Sequence, residues 1–248
     1  MTELFVNSAL NWTLVLIDAF IVGLSKSGIK GIDMLNVTIM TLVFGSKAST
    51  GIVLPLLCIA DIMAVRYYHR HADWTQFWKL LPWMAVGILI GVVVGKDLNE
   101  AVFRKLMAAI ILITVAIVVI MEFRKTLFVP HNIGFVSTMG LTAGFTTMLG
   151  NLAGAFSNLY FLALRMPKNG FIGTTAWLFL VINLFKLPFQ VFVWKNISLA
   201  TLKVDLVLLP AMVIGFFLGI KVVGRIKDEN YRRVVIFLTL CGALMIFF

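Results

Sequence analysis

Residues 80–91 read LLPWMAVGILIG, and residues 208–219 read LLPAMVIGFFLG. The two blocks carry no charged residue and place leucine, proline, methionine and glycine at the same positions, 128 residues apart. The first block belongs to a mainly apolar run at residues 77–95, which is close to the roughly 20 residues that a helix needs to cross a bilayer. The pair therefore predicts a membrane protein that contains an internal repeat.

The composition of the whole chain agrees with a membrane location. Of its 248 residues, 61% are hydrophobic and 13% are charged, with a mean hydropathy of +1.02, whereas a soluble domain is about half apolar and about a quarter charged. This excludes a water-soluble globule, because too few charged residues remain to cover its surface. The net charge of +10 comes from basic residues scattered between apolar runs, which indicates a positive-inside bias and no nucleic-acid partner.

Apolar runs divide the chain into ten segments, which predicts an all-α, polytopic integral membrane protein with eight to ten membrane helices. The second and seventh segments are too short to cross a hydrocarbon core about 30 Å thick. We therefore expect broken or short helices at residues 23–44 and 144–164. The segments are residues 9–27, 31–44, 47–67, 77–95, 101–121, 133–149, 151–164, 170–193, 204–224 and 231–248.

The two short segments hold matching places in two sets of five, which predicts repeats at residues 1–126 and 127–248 of one membrane domain. Upstream of the proline blocks, an offset of 122 pairs Asp61 with Asn183 and Gly51 with Gly173. If all ten segments cross the membrane, most Lys and Arg residues lie on one of its two faces. If the short segments are instead re-entrant and the repeats are parallel, the difference in the number of Lys and Arg residues between the faces is slightly smaller. The positive-inside rule thus favours inverted repeats by a small margin.

Two polar stretches that contain glycine precede the short segments: GLSKSGIKG at residues 23–31 and GFTTMLGNLAG at residues 144–154. In hydrocarbon, such breaks persist only where they are buried in protein or line a water-filled cavity, and the helix N-termini at a break attract anions. Close helix packing by the glycines and cytoplasmic charge at a helix end are the alternatives. The residues that we expect in an anion site here are Lys26, Ser27, Gly28, Lys30, Asn36, Thr146, Thr147, Gly150, Asn151 and Asn158.

A third polar group lies in the middle of segment 170–193. Lys186 follows Asn183 by one helical turn, so both side chains can face one cavity, and we assign both to the substrate site. A lysine this deep is costly unless it is paired. Its candidate partners are a substrate anion or Asp61, and a pair with Asp61 could be purely structural, with no role in transport.

Two buried acids are candidates for coupling transport to a proton or cation. Asp61 is the first, because its repeat equivalent is Asn183 and the two should meet near a pseudo-two-fold axis. Asp18 is the second. Alternatively, its side chain pairs with backbone groups that a neighbouring helix break leaves without a hydrogen-bond partner.

The sequence offers no pattern for a metal site, a cofactor or an enzyme. Residues 66–74 include two histidines, but they lie at a segment end, where aromatic and basic residues anchor at the membrane interface. Cys58 and Cys241 lie inside apolar runs and supply no zinc ligand set. Because nucleophile-elbow, phosphate-loop and metalloprotease motifs are also missing, we expect no cofactor, no metal and no enzymatic activity.

Several stretches resemble the sulfite exporter TauE/SafE family, also called the toluene sulfonate uptake permease family. They are residues 23–28 (GLSKSG), residues 143–148 (AGFTTM) and residues 173–177 (GTTAW), followed by Asn183 and the tripeptide at residues 186–188 (KLP). The resemblance extends from about residue 10 to residue 248. It implies a multi-pass transporter of the cell (inner) membrane, built from two related halves and associated with sulfite, sulfonates and other sulfur-containing or organic anions.

The residues and the resemblance together predict a secondary transporter, either a permease or an exporter, of a small anion. Sulfite, a sulfonate or another sulfur-containing organic acid is the expected substrate, and the lipid bilayer is the expected surrounding. A coupling proton or cation and a homodimer are left open. An anion channel and a non-transporting membrane scaffold are the alternative functions.

Overall fold

The computed structural model describes residues 8–123 and 132–244, and these residues form eleven α-helices, which confirms the all-α class. The predicted boundary between the repeats at residue 126 and the last four residues of the tenth segment lie outside this part of the chain. The helices are α1 (Ala9–Lys26), α2 (Asp33–Phe44), α3 (Ser46–Ile52), α4 (Leu54–Tyr68), α5 (Trp74–Lys96), α6 (Glu100–Phe123), α7 (Ile133–Gly150), α8 (Ala153–Ala163), α9 (Lys168–Pro188), α10 (Leu199–Arg225) and α11 (Asp228–Leu244), with a 3-10 turn at His69–His71 and a π-helical turn at Phe189–Val193.

Five of the described helices are long and apolar enough to cross a bilayer: α1, α5, α7, α9 with its π-helical turn, and α10. Helices α3 and α4 together would make a sixth span, bent by 43°. These spans indicate a multi-pass membrane protein. The expected eight to ten membrane helices require further helices to cross as well, and that larger number stays a prediction.

The chain breaks at both polar stretches. Between α1 and α2, Gly28 and Gly31 adopt φ angles of 119° and 96°, a region that glycine enters without steric cost. Between α7 and α8, Asn151 adopts a left-handed conformation at φ 56° and ends α7. The helices that follow are short, with 12 residues in α2 and 11 in α8.

A third break divides the predicted segment 47–67 into α3 and α4. Pro55 lies in the first turn of α4, and its ring removes the N–H that would continue the hydrogen-bond ladder from α3. The apolar pattern alone did not reveal this bend, because proline also occurs at the start of an unbroken helix.

Two pairs of long helices pack through glycines. A Cβ on Gly23 in α1 would overlap the carbonyl oxygen of Met212 in α10, and a Cβ on Gly144 in α7 would overlap that of Met84 in α5. The backbones can therefore approach only because these side chains are missing, as is common in membrane helix pairs.

Helices α4 and α9 lie side by side and run antiparallel. Near the end of α4, the backbone N–H of Asp73 donates to Thr174 Oγ1 at 2.8 Å, close to the start of α9. Just before α4, Thr50 Oγ1 accepts a hydrogen bond from Gln190 Nε2 at 3.2 Å, just beyond the end of α9. The midpoints of the two helices therefore meet inside the bundle.

Candidate functional site

A buried ion pair lies where the midpoints of α4 and α9 meet. Lys26, the last residue of α1, donates from Nζ to Asp61 Oδ1 at 2.6 Å, and Asn183 Nδ2 donates to Asp61 Oδ2 at 2.6 Å. Lys26 is 7% exposed and Asp61 is 0% exposed. Both oxygens of the carboxylate thus have a partner, as a buried charge requires. The expected proximity of Asp61 and Asn183 is observed.

Lys186 lies on the other side of Asn183 and is fully buried. Its Nζ donates to Asn151 Oδ1 at 2.6 Å, to Thr147 Oγ1 at 3.1 Å and to Asn183 Oδ1 at 3.3 Å. All three acceptors are neutral, and no carboxylate of residues 8–123 and 132–244 lies within 4.0 Å of this ammonium group. The direct Lys186–Asp61 pair considered from the sequence is therefore wrong, because Lys26 occupies that carboxylate.

A cavity of about 30 Å³ adjoins the ion pair, enough for one or two water molecules. It lies where both chain breaks meet, between the end of α1, the start of α2, the end of α7 and the start of α8. A substrate larger than water must displace side chains to enter it. The lining residues are Val22, Ser25, Lys26, Asp33, Asn36, Leu57, Thr147, Asn151, Ala153, Gly154, Phe179 and Asn183.

An aromatic ring and a third lysine complete the charged region. The ammonium groups of Lys26 and Lys30 lie 4.9 Å and 5.2 Å from the ring centroid of Phe179, a distance at which cations interact favourably with an aromatic face. Lys30 is buried. Asp33 is the one acid among the described residues that line the cavity, and its Oδ1 accepts from the backbone N–H of Gly31 at 2.9 Å.

Asp18 lies behind the cavity wall. Asn36, which lines the cavity, donates from Nδ2 to Asp18 Oδ2 at 2.7 Å. Asp18 Oδ1 is buried and has no hydrogen-bond partner among the described residues. Asp18 thus accepts a hydrogen bond from a side chain. The alternative considered from the sequence was a partner in the backbone of a neighbouring helix break.

Seven of the expected substrate-site residues do not line this cavity: Lys30 and Lys186, described above, and five others. Ser27 Oγ donates to the carbonyl of Leu24 at 2.8 Å, and Thr146 Oγ1 donates to the carbonyl of Ala143 at 3.2 Å, so both hydroxyls satisfy backbone oxygens. The others act in packing or lie elsewhere: the carbonyl of Gly28 accepts from Tyr231, Gly150 packs on Met107, and Asn158 lines a separate cavity of about 10 Å³.

Five polar residues at or near the site were missed, and two of them, Ser25 and Asp33, line the cavity. Thr50, Gln190 and Asn196 connect to Asn151 through hydrogen bonds, and Gln190 is fully buried. Gln190 interrupts an apolar run just as Asn183 does, so the same signal could have found it. Thr50 and Asn196 lie at segment ends, where polar residues are ordinary and carry no such signal.

A family model for the sulfite exporter TauE/SafE matches residues 15–246. The match includes both chain breaks, the α4–α9 pair and all residues of the cavity. No curated protein and no solved structure matches the chain.

Proposed function

Because this chain belongs to the sulfite exporter TauE/SafE family of membrane transporters, we propose that it is a secondary transporter whose small anionic substrate binds between Lys26 and Lys186. The observation that carries the proposal is the fully buried ammonium of Lys186, whose hydrogen-bond partners among residues 8–123 and 132–244 are all neutral oxygens. A buried cation without a counter-ion is costly in a membrane. Lys186 does not itself line the cavity, but Thr147, Asn151 and Asn183, which hold it, do. An anion that enters the cavity and displaces one of these side chains reaches the ammonium and supplies the missing negative charge.

Several hydrogen-bond donors of different kinds converge on the cavity. Besides Lys26, Thr147 and the first turn of α8 at Ala153 and Gly154 line it. Backbone N–H groups in the first turn of a helix have no acceptor within the helix and favour anions. A small oxyanion, with several acceptor oxygens around one atom, matches such donors. Sulfite, a sulfonate or another sulfur-containing organic acid is the substrate class that we propose, in line with the family.

The ion pair suggests how transport is coupled. An anion that enters the cavity attracts Lys26 away from Asp61, which then keeps only the hydrogen bond from Asn183. A buried carboxylate that has lost its cation is strongly destabilised, so binding of a proton or cation at Asp61 would accompany binding of the anion. Asp18, one hydrogen bond away from the cavity wall, is the second candidate for this role.

We also propose that residues 1–126 and 127–248 are inverted repeats. The equivalent helices α4 and α9 run antiparallel, and the equivalent residues Asp61 and Asn183 are hydrogen-bonded between them. A two-fold axis in the membrane plane relates elements in this way, whereas parallel repeats would give parallel equivalent helices. Superposing the halves of an experimental structure tests this, and an overlay with both halves crossing the bilayer in the same direction would reject inversion.

The transport proposal is tested with purified protein in lipid vesicles. We expect saturable, gradient-driven uptake of sulfite or a small sulfonate, and a strong loss of uptake in Lys186→Met. The matched control is Lys203→Met, which removes the same charge from an exposed position of α10. Flux that does not saturate would indicate an anion channel, and neither flux nor binding across a panel of sulfur anions and carboxylates would indicate a scaffold.

A further inference from the structure

Gly51 lies at a polar contact between α3 and the chain that follows α9. Gln190 Nε2 donates to Thr50 Oγ1 at 3.2 Å, and Asn196 Nδ2 donates to Gln190 Oε1 at 3.0 Å and to the carbonyl of Lys47 at 3.1 Å. A Cβ on Gly51 would overlap the side chain of Asn196 and come within 3.0 Å of Gln190 Oε1. The contact, here called the Gly51 closure, therefore depends on the missing side chain.

The Gly51 closure is connected to the central site by hydrogen bonds. Asn151, which accepts from Lys186, donates from Nδ2 to the carbonyl of Thr50 at 3.0 Å. From Thr50 the connection continues to Gln190 and Asn196. Polar side chains buried in a membrane bundle are costly and typically mark the path of a substrate or ion. This series of residues thus leads from the cavity toward one end of the bundle.

Gly173 lies at a second contact, at the opposite end of the α4–α9 pair. A Cβ on Gly173 would lie 2.8 Å from the carbonyl oxygen of Tyr68 and 3.0 Å from the backbone nitrogen of Ala72. The neighbouring Thr174 Oγ1 accepts from the backbone N–H of Asp73 at 2.8 Å. This contact, here called the Gly173 closure, joins the start of α9 to the end of α4.

The two closures are symmetric about the central site. Gly51 precedes Asp61 by ten positions, and Gly173 precedes Asn183 by ten positions. At a rise of 1.5 Å per residue, each closure lies roughly 15 Å from the Asp61–Asn183 hydrogen bond. Because α4 and α9 are antiparallel, the closures lie in opposite directions and about 30 Å apart, which is the thickness of the hydrocarbon core.

We propose that the Gly51 closure and the Gly173 closure are two gates, one toward each side of the membrane, and that each separates the central cavity from the water on its own side. This inference rests on the proposed function, because it takes the cavity as the substrate site. The bend between α3 and α4 and the π-helical turn after α9 flank the Gly51 closure, and such irregular backbone is where helices yield. Opening at Gly51 separates α3 from Gln190 and Asn196, and opening at Gly173 separates α9 from the end of α4.

Cysteine labelling tests the gates without relying on transport. Ser25 lines the cavity and is buried, so Ser25→Cys, in a chain that also carries Cys58→Ala and Cys241→Ser, places one thiol inside. A membrane-impermeant, negatively charged methanethiosulfonate is then added to one side of vesicles of known orientation. Asn196→Ala removes two hydrogen bonds of the Gly51 closure, and Thr174→Val removes one from the Gly173 closure with little change in shape.

We expect Asn196→Ala to speed labelling about tenfold from one side only, and Thr174→Val to do so from the opposite side only, since a lost hydrogen bond shifts an opening equilibrium by up to about that factor. Gly51→Ala, which wedges its closure apart, should match Asn196→Ala in sidedness. Thr138→Val is the control, because Thr138 is exposed and bonds only within its own helix, and its labelling rate should not change.

Two results would overturn the gates. One is faster labelling from the same side in both variants, and the other is no change in either variant although both melt like the parent and label fully when unfolded. Sided labelling without flux of any sulfur anion would support the gates and reject the proposed function. Saturable flux with labelling that is not sided would support the proposed function and reject the gates.

Discussion

Replacing Lys186 by methionine should weaken anion binding far more than it changes the stability of the empty protein. The substitution removes a buried charge, which relieves desolvation, but it leaves Thr147, Asn151 and Asn183 each short of one donor. A lost donor costs about 1–3 kcal/mol, or about 3–9 kcal/mol for the three acceptors, and removing the ammonium relieves the desolvation penalty of a buried ion, which is several kcal/mol. These opposing contributions are similar in size, so we expect the melting temperature without ligand to change by only a few degrees.

The bound anion loses a charge-assisted contact, which contributes about 1.5–3 kcal/mol. This corresponds to a Kd weaker by about 10- to 100-fold. At a concentration of sulfite or sulfonate that is about 100 times the parent Kd, ligand stabilises the parent by about 2.7 kcal/mol. A 30-fold weaker Kd reduces that stabilisation to about 0.9 kcal/mol.

Thermal-shift titration of purified protein measures both quantities, with Lys203→Met as the control that should keep the full ligand shift. A Lys186→Met protein that melts normally and is protected as well as the parent would refute the placement of the anion beside Lys186. A Lys186→Met protein that fails to fold would instead assign Lys186 a structural role.

Three further predictions follow from the ion pair and the glycine contacts. Asp61→Asn keeps the hydrogen bond with Asn183 in a neutral form, so ligand should still protect it against heat while uptake loses its dependence on a proton or cation gradient; unchanged coupled flux would remove Asp61 from the mechanism. Lys26→Met orphans the buried carboxylate, and the free energy of unfolding should fall by about 3–5 kcal/mol; the double variant with Asp61→Asn should recover most of the loss in a denaturation experiment, and no recovery would contradict the pairing. Gly144→Ala forces a Cβ into the backbone of α5 and should lower the melting temperature strongly, whereas Gly224→Ala, with no atom within 4 Å of its added Cβ, should not; equal melting of the two would argue against the close contact.

The helical class and the positions of the main breaks were predictable from the sequence because lipid imposes strict local rules. A polar or glycine-rich stretch in an apolar run must be satisfied inside the protein, so residues 23–31 and 144–154 were informative on their own. The same reasoning singled out Asn183 and Lys186. It gave no warning at Pro55, where the sequence is compatible with either a straight or a bent helix.

What the sequence by itself determined is that buried polar groups exist in this membrane protein and which segments carry them. Only the tertiary structure decided how they pair, because the rotation and crossing of helices follow from contacts such as that of Gly23 with Met212, far apart in the chain. Those contacts bring Lys26 to Asp61 and leave Lys186 with neutral oxygens. A local sequence pattern identifies the residues that need partners. It does not determine which of several chemically similar and distant residues becomes the partner, because that depends on the packing of the whole bundle.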